Sequence, residues 1–167
     1  MRHYKYVGPA AILKAVADSP PGVLIRRFTD LSAWLIDQAE DAASDGTITA
    51  TFVVDVNGVL LLAPRRSEHV ACAAGGPVQS AGEITMSPHG EVLEISNLST
   101  GFCPEPESWS GVAAALDQIP IQHPGQFTTS VVFRLCPACG ERNVVKDSWF
   151  VCEFCGGDLP DEWNFPC

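Results

Sequence analysis

The chain has 167 residues, with 10 Lys or Arg against 20 Asp or Glu and a formal net charge of -10. That length holds one modest domain and a small appendage, and it contains no run of about twenty apolar residues that would span a bilayer. Residues 1–133 carry 7 basic and 14 acidic side chains and residues 134–167 carry 3 and 6, so neither part offers the cationic surface from which phosphate-backbone binding draws its affinity, and nucleic acid is not an expected partner.

The opening residues Met1-Arg2-His3-Tyr4-Lys5-Tyr6 lack the apolar centre of a signal peptide. Cys72, Cys103 and Cys167 bring the cysteines to 7, an odd number that fits a reducing compartment better than a disulfide framework. A cytoplasmic protein without a membrane segment is expected.

In chain order, residues 9–17 predict a short helix, with Pro9 at its start and Ile12, Leu13 and Val16 on one face. Ser19-Pro20-Pro21-Gly22 breaks it, and Val23-Leu24-Ile25 reads as a brief strand. Thr29-Asp30 offers an N-cap to a second helix whose Leu31, Trp34, Leu35, Gln38, Ala39 and Ala42 recur at helical spacing. Residues 47–54 are rich in β-branched side chains and lead through Asn57-Gly58 into Val59-Leu60-Leu61-Leu62, the strongest short-range signal for a hairpin. A Gly-rich connection over residues 65–82 and a second hairpin over residues 83–95 follow. Residues 108–117 predict a third helix with Trp109, Val112, Ala113 and Leu116 inward. Residues 128–135 read as a last strand, and Trp163 and Phe165 in the tail are expected to fold back on an apolar surface.

Cys136-Pro137-Ala138-Cys139 and Cys152-Glu153-Phe154-Cys155 are two C-x-x-C pairs, each followed by glycine. Two cysteines so spaced can point at one ion from a tight turn, and a following glycine supplies the positive φ the turn needs. Two such knuckles give four thiolates and the arrangement of a zinc ribbon. A redox C-x-x-C is usually single. Iron accepts the same four ligands, so zinc is preferred and iron stays open. Four thiolates leave no open position, so the Zn2+ is expected to be structural. Between the knuckles, Asn143-Val144-Val145 and Trp149-Phe150-Val151 predict a hairpin around Lys146-Asp147-Ser148. The expected fold class is α+β: a mostly antiparallel sheet built from hairpins with about three helices, residues 1–133, and a C-terminal zinc ribbon, residues 134–167, packed on it.

Two stretches, residues 65–83 and 96–106, collect chemistry-bearing side chains at predicted strand ends, where ligand groups gather. His69 is a candidate acid or base, with Glu83 or Glu68 to orient it. Arg65 and Arg66 can grip a phosphate or carboxylate bidentately. Ser99, Thr100 or Cys103 could supply a nucleophile or a contact. Gly75, Gly76 and Phe102 complete the candidate ligand-binding set. Each has a structural counterpart: a hydrogen-bonding histidine, turn-capping hydroxyls before Pro104, small buried thiols at Cys72 and Cys103.

The order His69, Ala74-Gly75, Ala81-Gly82, a strand pair, then Ser99-x-x-Phe102-x-Pro104 and a helix resembles a domain of plant IQ-motif calmodulin-binding proteins, with related domains in bacterial toxin-like proteins. That family tends to read His-Ser-Ser-Phe-x-Ala-Gly, then Ala-Gly, then Ser-Gly-His-Tyr-x-Pro. Here Val70 and Ala71 replace the serines, Gly101 the second histidine and Phe102 the tyrosine. The resemblance covers roughly residues 50–120 and implies fold more than reaction. It implies no calmodulin binding, because no basic IQ helix is present. Two functions are expected to compete. One is a zinc-stabilised module binding a protein or a small anionic ligand. The other is a small hydrolase or group transferase with His69 as acid–base, for which His69, Glu83, Arg66 and Ser99 must converge on one pocket.

Overall fold

The strand with the sequence Ile-Thr-Ala-Thr-Phe-Val-Val-Asp organises the molecule, because its two-residue period feeds two different cores. The computed structural model describes residues 1–166. Among them run α1 (Ala10–Ala15), β1 (Val23–Ile25), α2 (Phe28–Asp37), β2 (Ile48–Asp55), β3 (Leu60–Pro64), α3 (His69–Cys72), β4 (Val78–Met86), β5 (Val92–Ile95), α4 (Trp109–Gln118), β6 (Val132–Leu135) and β7 (Arg142–Val145). The first five strands form one antiparallel sheet in the order β1-β3-β2-β4-β5, and β6 pairs only with β7. The α+β class, the antiparallel sheet and the approximate helix count agree with the sequence pattern.

On one sheet face, Ile48, Ala50, Phe52 and Val54 of β2 join Leu60 and Leu62 of β3 and Ile84 and Met86 of β4 under α2 and α4. On the other, Val53, Leu61, Ala63 and Ala81 lie beneath Tyr4, Phe102 and the Val70 and Cys72 side chains of α3. Both faces are therefore apolar over the middle of the sheet, and the sequence of β2 alternates only at its first four residues. There Thr49 and Thr51 share the second face with Thr85, whose hydroxyl lies 2.8 Å from that of Thr49.

Asp55 builds the first hairpin turn by accepting the N–H groups of Asn57 and Val59, both at 2.9 Å, and Gly58 takes φ 77° as the Asn-Gly pair predicts. Asp30 caps α2, but from inside it. The N-cap is Arg27, and the Asp30 carboxylate at the third position reaches back to the N–H groups of Arg26 and Arg27, each at 3.0 Å. Such a cap contributes about 1 kcal/mol. The helix stops at Asp37, and residues 39–41 continue as a 3-10 turn.

Three expectations are corrected. Residues 65–82 are not a simple connection, since they contain α3 and the first five residues of β4. Of residues 128–135 only Val132–Leu135 is strand. Ahead of it, the Thr128 N–H donates to the Ile95 carbonyl at 2.9 Å, which covers the β5 edge. Arg142–Val145 pairs with β6 across the first knuckle and not with residues 149–151, where Val151 makes an isolated bridge to Asp158.

Gly82 is required by a close approach. A Cβ there would stand 1.9 Å from the Ser96 carbonyl oxygen, so backbone must move to admit one. Gly82→Ala is expected to destabilise the fold by at least the ~1–3 kcal/mol usual for overpacking. A denaturation midpoint equal to that of the wild type would show that β5 yields freely.

The C-terminal part is tied to the rest by side chains. Phe133 and Phe165 pack with Cys103. Trp163 donates to the Cys103 carbonyl at 2.8 Å and meets Tyr4 edge-on with ring centroids 5.5 Å apart. The buried Asn97 amide donates to the Val131 carbonyl and accepts the Val131 N–H, each at 2.7 Å. Asn164 does the same to Leu135, at 2.7 and 2.9 Å. Arg134 is the most connected of these. Its guanidinium reaches Glu105 at 2.8 Å and the carbonyls of Phe133, Pro160 and Asp161 at 2.6, 3.1 and 2.6 Å.

Candidate functional site

Both knuckles have the same backbone. Cys136 N–H donates to Glu141 and Gly140 N–H returns to Cys136, at 2.9 and 2.9 Å, and Cys152 and Gly156 repeat this with Gly157 and Cys152 at 2.8 and 3.0 Å. Gly140 and Gly156 take φ 77° and 75°. A Cβ on either would meet nothing within 4 Å, so conformation and not space selects glycine there.

This repeat brings the Sγ atoms of Cys136, Cys139, Cys152 and Cys155 within 4.8 Å of one another. Cys136–Cys155 and Cys139–Cys152 are each 3.6 Å apart, far beyond a disulfide bond. A tetrahedron with metal–sulfur bonds of about 2.3 Å has edges of about 3.8 Å; two sulfur pairs stand near that spacing and the others within 4.8 Å, so the four could hold one metal ion. Asn143 forms an outer layer. Its amide lies 3.4 Å from Cys152 Sγ, and its carbonyl oxygen accepts the Glu153 N–H at 2.9 Å. Burial raises the Cys152 pKa, but the N–H groups of Cys155 and Phe154, the Asn143 amide and Cys139 outweigh it and draw the thiol below its ordinary value. Cys139 and Cys155 shift the other way: backbone N–H groups lower each, but burial and neighbouring sulfurs raise both above the ordinary value, so the favoured charge sits on Cys152 and not on those two. Asn143 was read only as a strand residue from sequence. Its place seven residues after Cys136 carries no signal without the β6–β7 pairing.

The remaining candidates divide. Arg65, Arg66 and Glu83 line one open cleft of about 520 Å3 together with Gln38, Asp41 and Thr49. Arg65 and Glu83 form an exposed ion pair at 3.4 Å, while Arg66 has no carboxylate within ion-pair distance among the described residues. His69 and Ser99 do not line that cleft. His69 opens α3, and its Nε2, 3.0 Å from the Gly82 carbonyl, must donate there. Ser99 is buried, and its Oγ has no hydrogen-bond partner among the described residues. Phe102 is a core side chain, edge-on to Tyr6. Gly75 takes φ 75° in the turn after α3, and Gly76 follows it toward β4. Cys72 and Cys103 are buried, and burial pushes both thiols up to about 12, so they are inert packing residues. Cys167 lies outside the described residues.

Burial lowers the His69 pKa below its ordinary value, against smaller opposing effects of the Gly82 carbonyl, Glu83 and Glu68. The unfolded chain takes up this proton at about pH 6.5 and the folded chain only below it. The stability tied to neutral His69 is therefore complete above about pH 6.5 and is lost as pH falls from there toward the folded-state value. Chemical denaturation of wild type and His69→Gln between about pH 8 and 5 should show a steeper decline for the wild type. Parallel curves would mean that His69 is not held neutral.

No helix among the described residues is long and apolar enough to cross a membrane. Comparison of the chain with protein-family models, curated proteins and solved structures finds no match in any of the three, so no family model stands behind the resemblance over residues 50–120.

Proposed function

We propose that the four cysteines hold one zinc ion as a structural metal, and that the chain is a cytoplasmic binding module that takes a small anionic ligand in the cleft of Arg65, Arg66 and Glu83. Residues 134–167 act as a ribbon packed against residues 1–133, which bind. The observation that carries the reading is the closed set of four sulfurs, whose spacing satisfies tetrahedral zinc and includes no donor other than cysteine. A closed shell supports folding and offers substrate no position.

A hydrolase or group transferase would need acid–base and anion-gripping groups around one substrate. The separation of His69 and Ser99 from the cleft lined by Arg66 and Glu83 favours binding over reaction. In the cleft, Arg66 makes no ion pair among the described residues and Thr49 is a neighbouring hydroxyl, a pairing that suits phosphate or carboxylate.

Calorimetric titration of the zinc-loaded chain with inorganic phosphate and with citrate tests this. Binding should appear for at least one probe and weaken about tenfold or more, a loss of at least 1.4 kcal/mol, in the double variant Arg65→Ala, Arg66→Ala. The cleft assignment fails if neither probe binds, or if the variant binds as well as the wild type.

A further inference from the structure

α2 is apolar on two sides. Leu31, Trp34 and Leu35 enter the core, whereas Phe28 and Ile36 remain 47% and 74% exposed. Phe28, Ser32 and Ile36 follow at four-residue steps and so share one outward stripe. With Ala39, Ala42 and the Pro88-His89 turn, that stripe walls a groove of about 620 Å3. From residue 28 to residue 39 the wall runs roughly 16 Å, about three turns of a helix laid against it.

The groove itself is lined by no Lys, Arg, Asp or Glu, and its two ends differ in charge. Asp37, Glu40 and Asp45 are exposed on the segments that form its far end, Asp41 beside them lines the Arg65–Arg66 cleft, and none of the four is in an ion pair among the described residues. Glu40 lies in the 3-10 turn that follows α2. The carbonyl end of α2 adds negative potential at the same place. Arg26 and Arg27 stand only at the opposite end, before Phe28.

We propose that this groove docks an amphipathic α-helix of a protein partner, with an apolar stripe of about three turns and Lys or Arg at the end that meets residues 37–45. The carboxylates select the occupant. An anionic lipid surface would be repelled by them. A second copy of this chain brings no suitable helix, since α1 carries one cation, Lys14, and α2 and α4 carry none. The proposal rests on the reading of the chain as a binding module, but it uses neither Arg65 nor Arg66.

The test is fluorescence anisotropy of the full zinc-loaded chain with three labelled synthetic helices of about five turns. One has a Leu stripe with Lys elsewhere, one is its scrambled sequence, and one carries Glu in place of Lys. The Leu–Lys helix should bind. Scrambling, the Lys-to-Glu exchange, and the protein variant Ile36→Glu should each weaken binding about tenfold or more. Because Ile36 is exposed, Ile36→Glu should melt as the wild type does and keep the phosphate or citrate response, so a failure here and a failure of the cleft are separate results. No binding of the Leu–Lys helix, equal binding of the Glu helix, or binding undiminished by Ile36→Glu would overturn the proposal. So would a concentration-dependent dimer that Ile36→Glu abolishes, because the groove would then belong to a second copy.

Discussion

Treatment with a strong zinc chelator near neutral pH is expected to dissolve the C-terminal part while the five-stranded sheet keeps a weakened cooperative transition. The knuckles have almost no core of their own: Cys136 and Cys152 are themselves the buried residues, joined only by Leu159 and the half-buried Val145 and Phe150. Without the ion, four thiols crowd together with little apolar surface to compensate. Structural zinc sites of this size contribute about 10–16 kcal/mol of apparent binding free energy in peptides, more than any single contact in the molecule. The loss should spread, because Trp163 of the tail packs against Tyr4 and covers part of the second core. Tryptophan fluorescence should therefore change with the chelator, and the thermal midpoint of the sheet should fall. Cys139→Ser should reproduce both effects without chelator. A melting curve indifferent to chelation would remove the metal from the account of the fold.

The second large effect is expected at Arg134→Ala. This guanidinium is only 6% exposed and its partner Glu105 13%, so the pair sits where unmatched charge is costly. Removing the arginine leaves a carboxylate and three carbonyls without their donor. Breaking a buried pair in this way costs about 3–5 kcal/mol. For a chain of this length that is a fall in melting temperature of about 6–20 °C. Arg134→Lys should recover little, because one ammonium cannot cover the directions a planar fork serves. Glu105→Gln, which keeps an acceptor for the fork, should cost less than Arg134→Ala. Equal costs for the two would place the importance of Arg134 in its pair with the Glu105 carboxylate, and a cost-free Glu105→Gln would place it in the carbonyl bonds.

What could be read from the residues was local. The Asn57-Gly58 turn and the two glycine-closed knuckles are encoded within five or six positions, and the structure has all three. The order of β-branched residues in β2 also announced a strand. Less accessible was anything set by partners far along the chain. Strand β4 begins in Val78-Gln79-Ser80-Ala81-Gly82, residues with little strand preference apart from Val78, and it is extended because β2 pairs along its whole length. Residues 143–145 had strand-like neighbours on both sides. The choice of β6 was made by the first knuckle, whose Cys136-to-Glu141 bond continues the ladder. On the other side, Asp147 and Ser148 both take positive φ and turn Trp149 outward. Arg134 read as an ordinary strand residue, since nothing near it shows that Glu105, Pro160 and Asp161 will surround it. The candidate site divided along the same line. The clustering of the four cysteines was legible because four sulfurs need only two short turns. The grouping of His69 and Ser99 with Arg66 was not, because it depended on which way strand ends face.

The most direct test of the account is elemental analysis of freshly purified, fully reduced protein alongside Cys136→Ser and Cys155→Ser. The proposed zinc site predicts one equivalent of zinc per wild-type chain, and a marked loss in each variant together with loss of the C-terminal fold. Wild-type protein that is folded through Trp163 yet carries no transition metal would contradict it.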